Sequence, residues 1–185
     1  MRSALHYRPG DRRGRRPQHR HLKPLIAVSA CLLGQPVRYD GASKPDPLVL
    51  PELENSAQLI AVCPEVAIGL GVPRPKIELV QQHGRLRVLG VDNRRLDVTG
   101  ELTAYAQRFL RDNPELAGLV LKSRSPSCGI NNTPLFDVDG NEISATSGMF
   151  AQTIMALRPD LPLIDEIELA GNTQAFLDAC RQLST

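Results

Sequence analysis

Three short apolar runs that each end at a cysteine constrain this chain more than any other feature. Ile26-Ala27-Val28-Ser29-Ala30 leads into Cys31, and Leu59-Ile60-Ala61-Val62 leads into Cys63. Leu116-Ala117-Gly118-Leu119-Val120-Leu121 runs into a turn that reaches Cys128. Short continuous apolar runs of this kind read as strands buried on both faces, as in parallel sheets. Open α/β sheets bind their ligands in the loops beyond the carboxyl ends of such strands. A parallel sheet would thus deliver three thiols to one edge. The third turn, Lys122-Ser123-Arg124-Ser125-Pro126-Ser127-Cys128-Gly129, combines hydroxyls, two cations and a thiol. Proline disfavours the helical region at Ser125, and Gly129 permits a sharp exit.

The segments between these runs supply the crossovers and excursions. Leu50 to Gln58 suits a short helix, whereas the prolines from Pro45 to Pro51 forbid a long one. Gly69-Leu70-Gly71-Val72-Pro73-Arg74-Pro75 is a Gly/Pro-rich loop of the kind that carries function. Residues 77–91 read as a hairpin turning at His83-Gly84. Leu102, Ala106, Phe109 and Leu110 recur at helical spacing, and Asn113-Pro114 ends that helix. Asn131 to Ile143 reads as a second hairpin with Asp139-Gly140 at its turn. A helix follows from Thr146-Ser147-Gly148, then a strand at Leu161–Asp165, then a closing helix from Thr173 to Leu183. The alternation predicts a Rossmann-like α/β fold, an open and mainly parallel sheet with hairpin insertions. The expected organisation is a basic tail at residues 1–24 and one α/β domain at residues 25–185.

Charge separates those two parts. Residues 1–24 hold eight Lys/Arg against Asp11 alone, a net +7, so the remainder carries −5 within the chain's total of +2. The tail has no hydrophobic periodicity and reads as disordered. Its charge would attract nucleic acid nonspecifically, but without aromatic interleaving a solvated tail is favoured. Arg12-Arg13 is followed by His, Lys and Pro and not by an apolar core, so it is not read as an export signal. No apolar stretch approaches transmembrane length. A cytoplasmic location is expected, where the four cysteines would be thiols or metal ligands and not disulfides.

Cys180, in Ala175-Phe176-Leu177-Asp178-Ala179-Cys180, reads as a small buried hydrophobe on the last helix. The other three lack any Cys-x-x-Cys spacing, and His83 is the one histidine outside the tail, so no zinc-finger pattern is present. Three thiolates without a partner histidine suit an iron–sulfur cluster. Three ligands for four irons would leave one iron open as a soft Lewis acid. A zinc site completed by an acid or water, three structural cysteines, and a Cys128–His83 nucleophilic pair are the competing readings. Near the thiols, Glu65 is a candidate proton-transfer group, and Ser125 a candidate to hydrogen-bond substrate or relay a proton. Each also has an ordinary role open to it, as a solvated carboxylate or a turn serine. Lys122 and Arg124 would offset thiolate charge. Asp40 and Arg74 are secondary candidates, and for each a structural loop contact is the favoured reading.

Several of these motifs occur together in one known family. Val28-Ser29-Ala30-Cys31-Leu32-Leu33-Gly34, Arg38-Tyr39-Asp40-Gly41, Cys63-Pro64-Glu65-Val66, Gly69-Leu70-Gly71, Pro73-Arg74 and the 122–129 turn resemble the thiouracil desulfurase (TudS-like) family. The resemblance spans about residues 25 to 160 and leaves the basic tail outside. It implies a [4Fe–4S] cluster held by Cys31, Cys63 and Cys128. It also implies a small thiolated nucleobase or nucleoside as substrate, such as 4-thiouracil, hydrolysed to uracil and sulfide without net redox change. Glu65 and Ser125 would act on the substrate, with Asp40, Arg74 and Lys122 binding it. Related alternatives are thiolation of a nucleoside or RNA with the same cluster, and a noncatalytic iron–sulfur or redox sensor.

Overall fold

The computed structural model describes residues 23–47 and 49–184; the basic tail expected at residues 1–24 lies, up to residue 22, outside them. In chain order the elements are β1 (Leu25–Ser29), α1 (Val49–Ser56), β2 (Gln58–Val62), α2 (Pro64–Ala67), β3 (Ile77–Gln82) and β4 (Arg85–Gly90). They continue as α3 (Thr99–Asp112), β5 (Leu116–Leu121), β6 (Thr133–Phe136), β7 (Glu142–Thr146), α4 (Met149–Leu157), β8 (Leu163–Asp165) and α5 (Glu166–Leu183).

The anticipated parallel sheet forms in the order β2-β1-β5-β8, with every neighbouring pair parallel. Side chains alternate across a strand, and β1 shows the consequence. Leu25 and Ala27 join the core under α3 and α4, with Ala106, Phe109, Phe150 and Ile154. Ile26 and Val28 face the opposite way, onto Leu53 of α1 and Leu169, Phe176 and Leu177 of α5. Helices on both faces explain why these strands are apolar throughout. Phe150 lies 5.6 Å from Phe109, edge to face, and 5.7 Å from Tyr105, stacked. Gly118 sets how closely α5 docks on β5: a Cβ there would lie 2.5 Å from Cys180 Sγ and 3.0 Å from Phe176 Cζ. Cys180 is fully buried in that contact, as its sequence context predicts.

The two predicted hairpins do more than interrupt the crossovers. β3 and β4 pair antiparallel, as do β6 and β7, and β3 joins β6 in parallel to give a second four-stranded sheet, β4-β3-β6-β7. Its apolar face, Ile77, Leu79, Val88 and Leu135, packs against Leu102 of α3 and Met149 of α4. The last helix begins seven residues before the predicted Thr173. Asp165 caps it, Oδ1 accepting from the N–H groups of Ile167 and Glu168 at 2.9 Å each. Gly171 and Asn172, which argue against a helix in sequence, sit on its exposed side where tertiary contacts override propensity. Among the described residues no helix is long and apolar enough to cross a membrane.

Candidate functional site

Strand register brings the cysteines together. Ser29 pairs with Val62, Val28 with Val120, and Leu121 with Asp165, so the parallel strands end along one edge. The chain steps from β1 outward to β2, then crosses to β5 on the other side of β1. The strand order therefore reverses between β1 and β5, and a crevice opens at such a switch point. Cys31 lies two residues beyond β1, Cys63 one beyond β2, and Cys128 at the end of the turn after β5. All three line one cavity of about 340 Å³, with Glu65, Ser125, Arg74, Lys122 and Arg124 also in its wall.

The turn after β5 is built by side chains. Ser29 Oγ accepts from Lys122 N at 2.9 Å, which ties the turn to β1. Arg124 takes a left-handed backbone, φ 58°, and its N–H is held by Asn132 Oδ1 at 2.8 Å. Ser125 Oγ accepts from the N–H groups of Ser127 at 3.3 Å and Cys128 at 3.1 Å. This is the turn-forming role weighed for Ser125, and it also leaves the hydroxyl in the cavity wall. Gly129 does not adopt the left-handed backbone that a sharp exit suggests; its requirement is space, since a Cβ would lie 2.0 Å from Thr133 Oγ1.

Glu65 sits in the first turn of α2, both carboxylate oxygens engaged. Oε1 accepts from Ser127 Oγ at 2.9 Å and Oε2 from Arg74 Nε at 2.8 Å. Arg74 faces protein acceptors, donating through Nη1 to the carbonyls of Val37 at 2.8 Å and Gly71 at 3.1 Å. Lys122 Nζ pairs with Glu166 Oε1 and donates to Ser123 Oγ at 2.8 Å. Burial by itself would raise the Glu166 carboxyl; hydrogen bonds from Lys122 and from the Ser123 side chain and backbone outweigh it and hold the group below the ordinary value. Asp40 is outside the cavity wall: it is exposed, Oδ1 accepts from Ala42 N at 3.0 Å, and Arg38 lies 3.5 Å away. His83 occupies its hairpin turn and is not part of the cavity wall.

Burial raises all three thiols above the ordinary cysteine value, Cys128 most. Cys31 and Cys63 each raise Cys128 further, and Cys63 raises Cys31, so the sulfurs are within electrostatic reach of one another. Lys122 and Arg38 oppose the shift at Cys31, as Arg74 does at Cys63 and Ser29, through a hydrogen bond, at Cys128. Among the described residues no three His, Cys, Asp or Glu side chains converge closely enough to share a single metal ion. Three soft donors around one cavity, with no histidine in its wall, have the donor chemistry of an iron–sulfur ligand set.

Ser127, Glu166, Ser29 and Tyr39 are among the wall or support residues not singled out from sequence. Ser127 and Ser29 lie within the motifs but look like ordinary turn and strand serines. Glu166 is 44 positions from Lys122, beyond local pattern reading. Tyr39 lines the cavity, with Lys76 Nζ 4.9 Å and the Arg38 guanidinium 5.7 Å from its ring centre.

Residues 26–166 match the 2-thiouracil desulfurase family. A solved structure described as the [4Fe–4S]-dependent thiouracil desulfidase TudS superposes with a TM-score of 0.64 at 36% identity, covering 83% of this chain and 97% of that one. No curated protein matches the chain.

Proposed function

The chain belongs to the 2-thiouracil desulfurase family, and on that premise we propose that it hydrolyses a thiolated pyrimidine to the oxo base and sulfide, using a [4Fe–4S] cluster held by Cys31, Cys63 and Cys128. The supporting observation is that the three thiols and Glu65 line one cavity of about 340 Å³, within the size range of small-molecule sites. A sensor needs no such cavity beside its thiols. The relative at 36% identity is described as [4Fe–4S]-dependent, which supports the choice of cluster. We assign the reaction to the domain at residues 25–185, working in the cytoplasm, where free thiols persist.

When bound, the cluster would supply an open iron, a soft Lewis acid suited to the thione sulfur. The balanced reaction is thiouracil plus water to uracil plus hydrogen sulfide: one carbon–sulfur bond breaks, carbon–oxygen bonding replaces it, and no electrons are exchanged. The protein must bind the pyrimidine, place a water at the ring carbon, and move that water's protons. Glu65 is the proton acceptor in this reading. Ser127 and Arg74 fix its carboxylate, and each ionised oxygen retains a lone pair for the water. Ser125 presents its hydroxyl to the substrate from the turn it organises. Lys122, positioned by Glu166, places a cation in the wall, where it opposes the negative charge of thiolates and departing sulfide.

Sulfide release from 2-thiouracil and 4-thiouracil, assayed anaerobically with wild type and Glu65→Gln, tests the reading. Removing a general base costs roughly 10²- to 10⁴-fold in rate, so Glu65→Gln should lose activity on that scale per bound cluster, with iron counted in the same sample. Wild type that carries the cluster and releases no sulfide from either compound would overturn the desulfurase assignment.

A further inference from the structure

One buried ion pair touches all three cysteine-bearing loops. Arg74 Nε meets Glu65 in the turn after Cys63 at 2.8 Å, and Nη1 meets the Val37 carbonyl in the loop after Cys31 at 2.8 Å. Arg74 N also donates to the Tyr39 carbonyl at 2.9 Å. Glu65 in turn holds Ser127, the residue before Cys128, at 2.9 Å. The arginine side chain is 4% exposed and the Glu65 side chain 12%. Three of the five guanidinium N–H donors, Nε and both on Nη1, are thus taken by protein acceptors on separate loops.

We propose that Arg74 is a positioning residue that braces the three thiols into one site, and not the substrate contact its place in the motif suggests. The inference rests on the reading that these thiols hold the cofactor. Three ligands on separate loops must be gathered against chain entropy and, once ionised, against mutual repulsion. A planar guanidinium with donors in a fixed fork can span a carboxylate and a carbonyl at once, whereas a lysine ammonium is a single point charge on a flexible stem. Groups that orient metal ligands from outside the coordination sphere typically alter metal affinity 10- to 100-fold, by about the same factor when deleted.

The test compares wild type, Arg74→Ala, Arg74→Lys and Ser127→Ala. Amide hydrogen exchange is measured on the apoproteins, and chelator-driven iron loss on the reconstituted ones. In Arg74→Ala, amides at residues 37–42 and 63–69 should exchange roughly tenfold faster or more while β1 and β5 stay at wild-type rates, and iron should leave roughly 10- to 100-fold faster. Arg74→Lys should fall between, and Ser127→Ala should accelerate iron loss without exposing residues 37–42. Wild-type exchange and iron loss combined with a raised KM would overturn the proposal and make Arg74 a substrate contact. If Arg74→Ala does not fold, Arg74→Lys and Ser127→Ala decide alone. If wild type takes up no iron, the cofactor reading fails, and the exchange data still decide whether Arg74 braces the loops.

Discussion

The two sheets treat their polar groups in opposite ways. Among the described residues, the buried polar or charged ones are Ser29, Ser123, Ser127, Thr133, Ser147, Asp165 and Glu166. Every one lies at the carboxyl edge of the parallel sheet or in a segment hydrogen-bonded to it. Thr133, although it begins β6, donates to the Ser125 carbonyl at 2.9 Å, and Ser147 holds Asn131. The second sheet buries Ile77, Leu79, Val80, Val88 and Leu135 and leaves β7 almost wholly exposed. Buried polar groups are costly unless each finds a partner, so a chain that concentrates them at one edge has a use for that edge. On the proposed function the second sheet is a support and the carboxyl edge the working part.

This division can be broken deliberately. The largest effect on stability should come from the supporting sheet. Leu79 is fully buried, and Leu79→Ala should cost about 2–5 kcal/mol in urea unfolding, with iron bound per folded molecule unchanged. Loss of iron from the folded fraction would show that the two regions do not separate.

At the working edge, Glu166→Ala strands Lys122 and should cost about 3 kcal/mol at neutral pH. The Glu166 pKa is depressed in the folded protein, so its stabilising contribution is present above its unfolded value of about 4.3 and is lost as pH falls through the lower folded value. Urea midpoints of wild type and variant should therefore converge on acidification. A constant gap down to the acid limit would mean that packing, and not the ion pair, accounts for the loss.

Asp40 tests the boundary of the site. It is exposed and bonded within its own turn, so Asp40→Asn should leave both urea midpoint and sulfide release at wild-type values. A marked fall in release would extend the working region into the 38–42 turn.

How much of this was legible beforehand follows the same division. The parallel strands and the convergence of Cys31, Cys63 and Cys128 could be read because a continuous apolar run and the thiol at its end lie together in sequence. The hairpins were visible from their turns, but their union into a sheet was not, since β3 meets β6 through two residue pairs more than 50 positions apart. The same reach hid the supports: Ser127 meets Glu65 across 62 positions and Lys122 meets Glu166 across 44. Arg74 was noticed for its charge and motif, but which partners occupy it depends on where the 37–41 loop lies. Sequence supplied the candidate groups, and tertiary structure supplied the partners that each of them meets.

The most direct test of the central claim is anaerobic reconstitution of wild type, Cys31→Ala, Cys63→Ala, Cys128→Ala and Cys180→Ala, with iron and acid-labile sulfide counted per chain. Cys180 is the control: it is buried against β5, its thiol pushed up to about 12 by burial. The account predicts about four irons per chain in wild type and Cys180→Ala, and loss of the cluster and of sulfide release from thiouracil in the other three. A full cluster in any of those three, or a cluster that depends on Cys180, would contradict it.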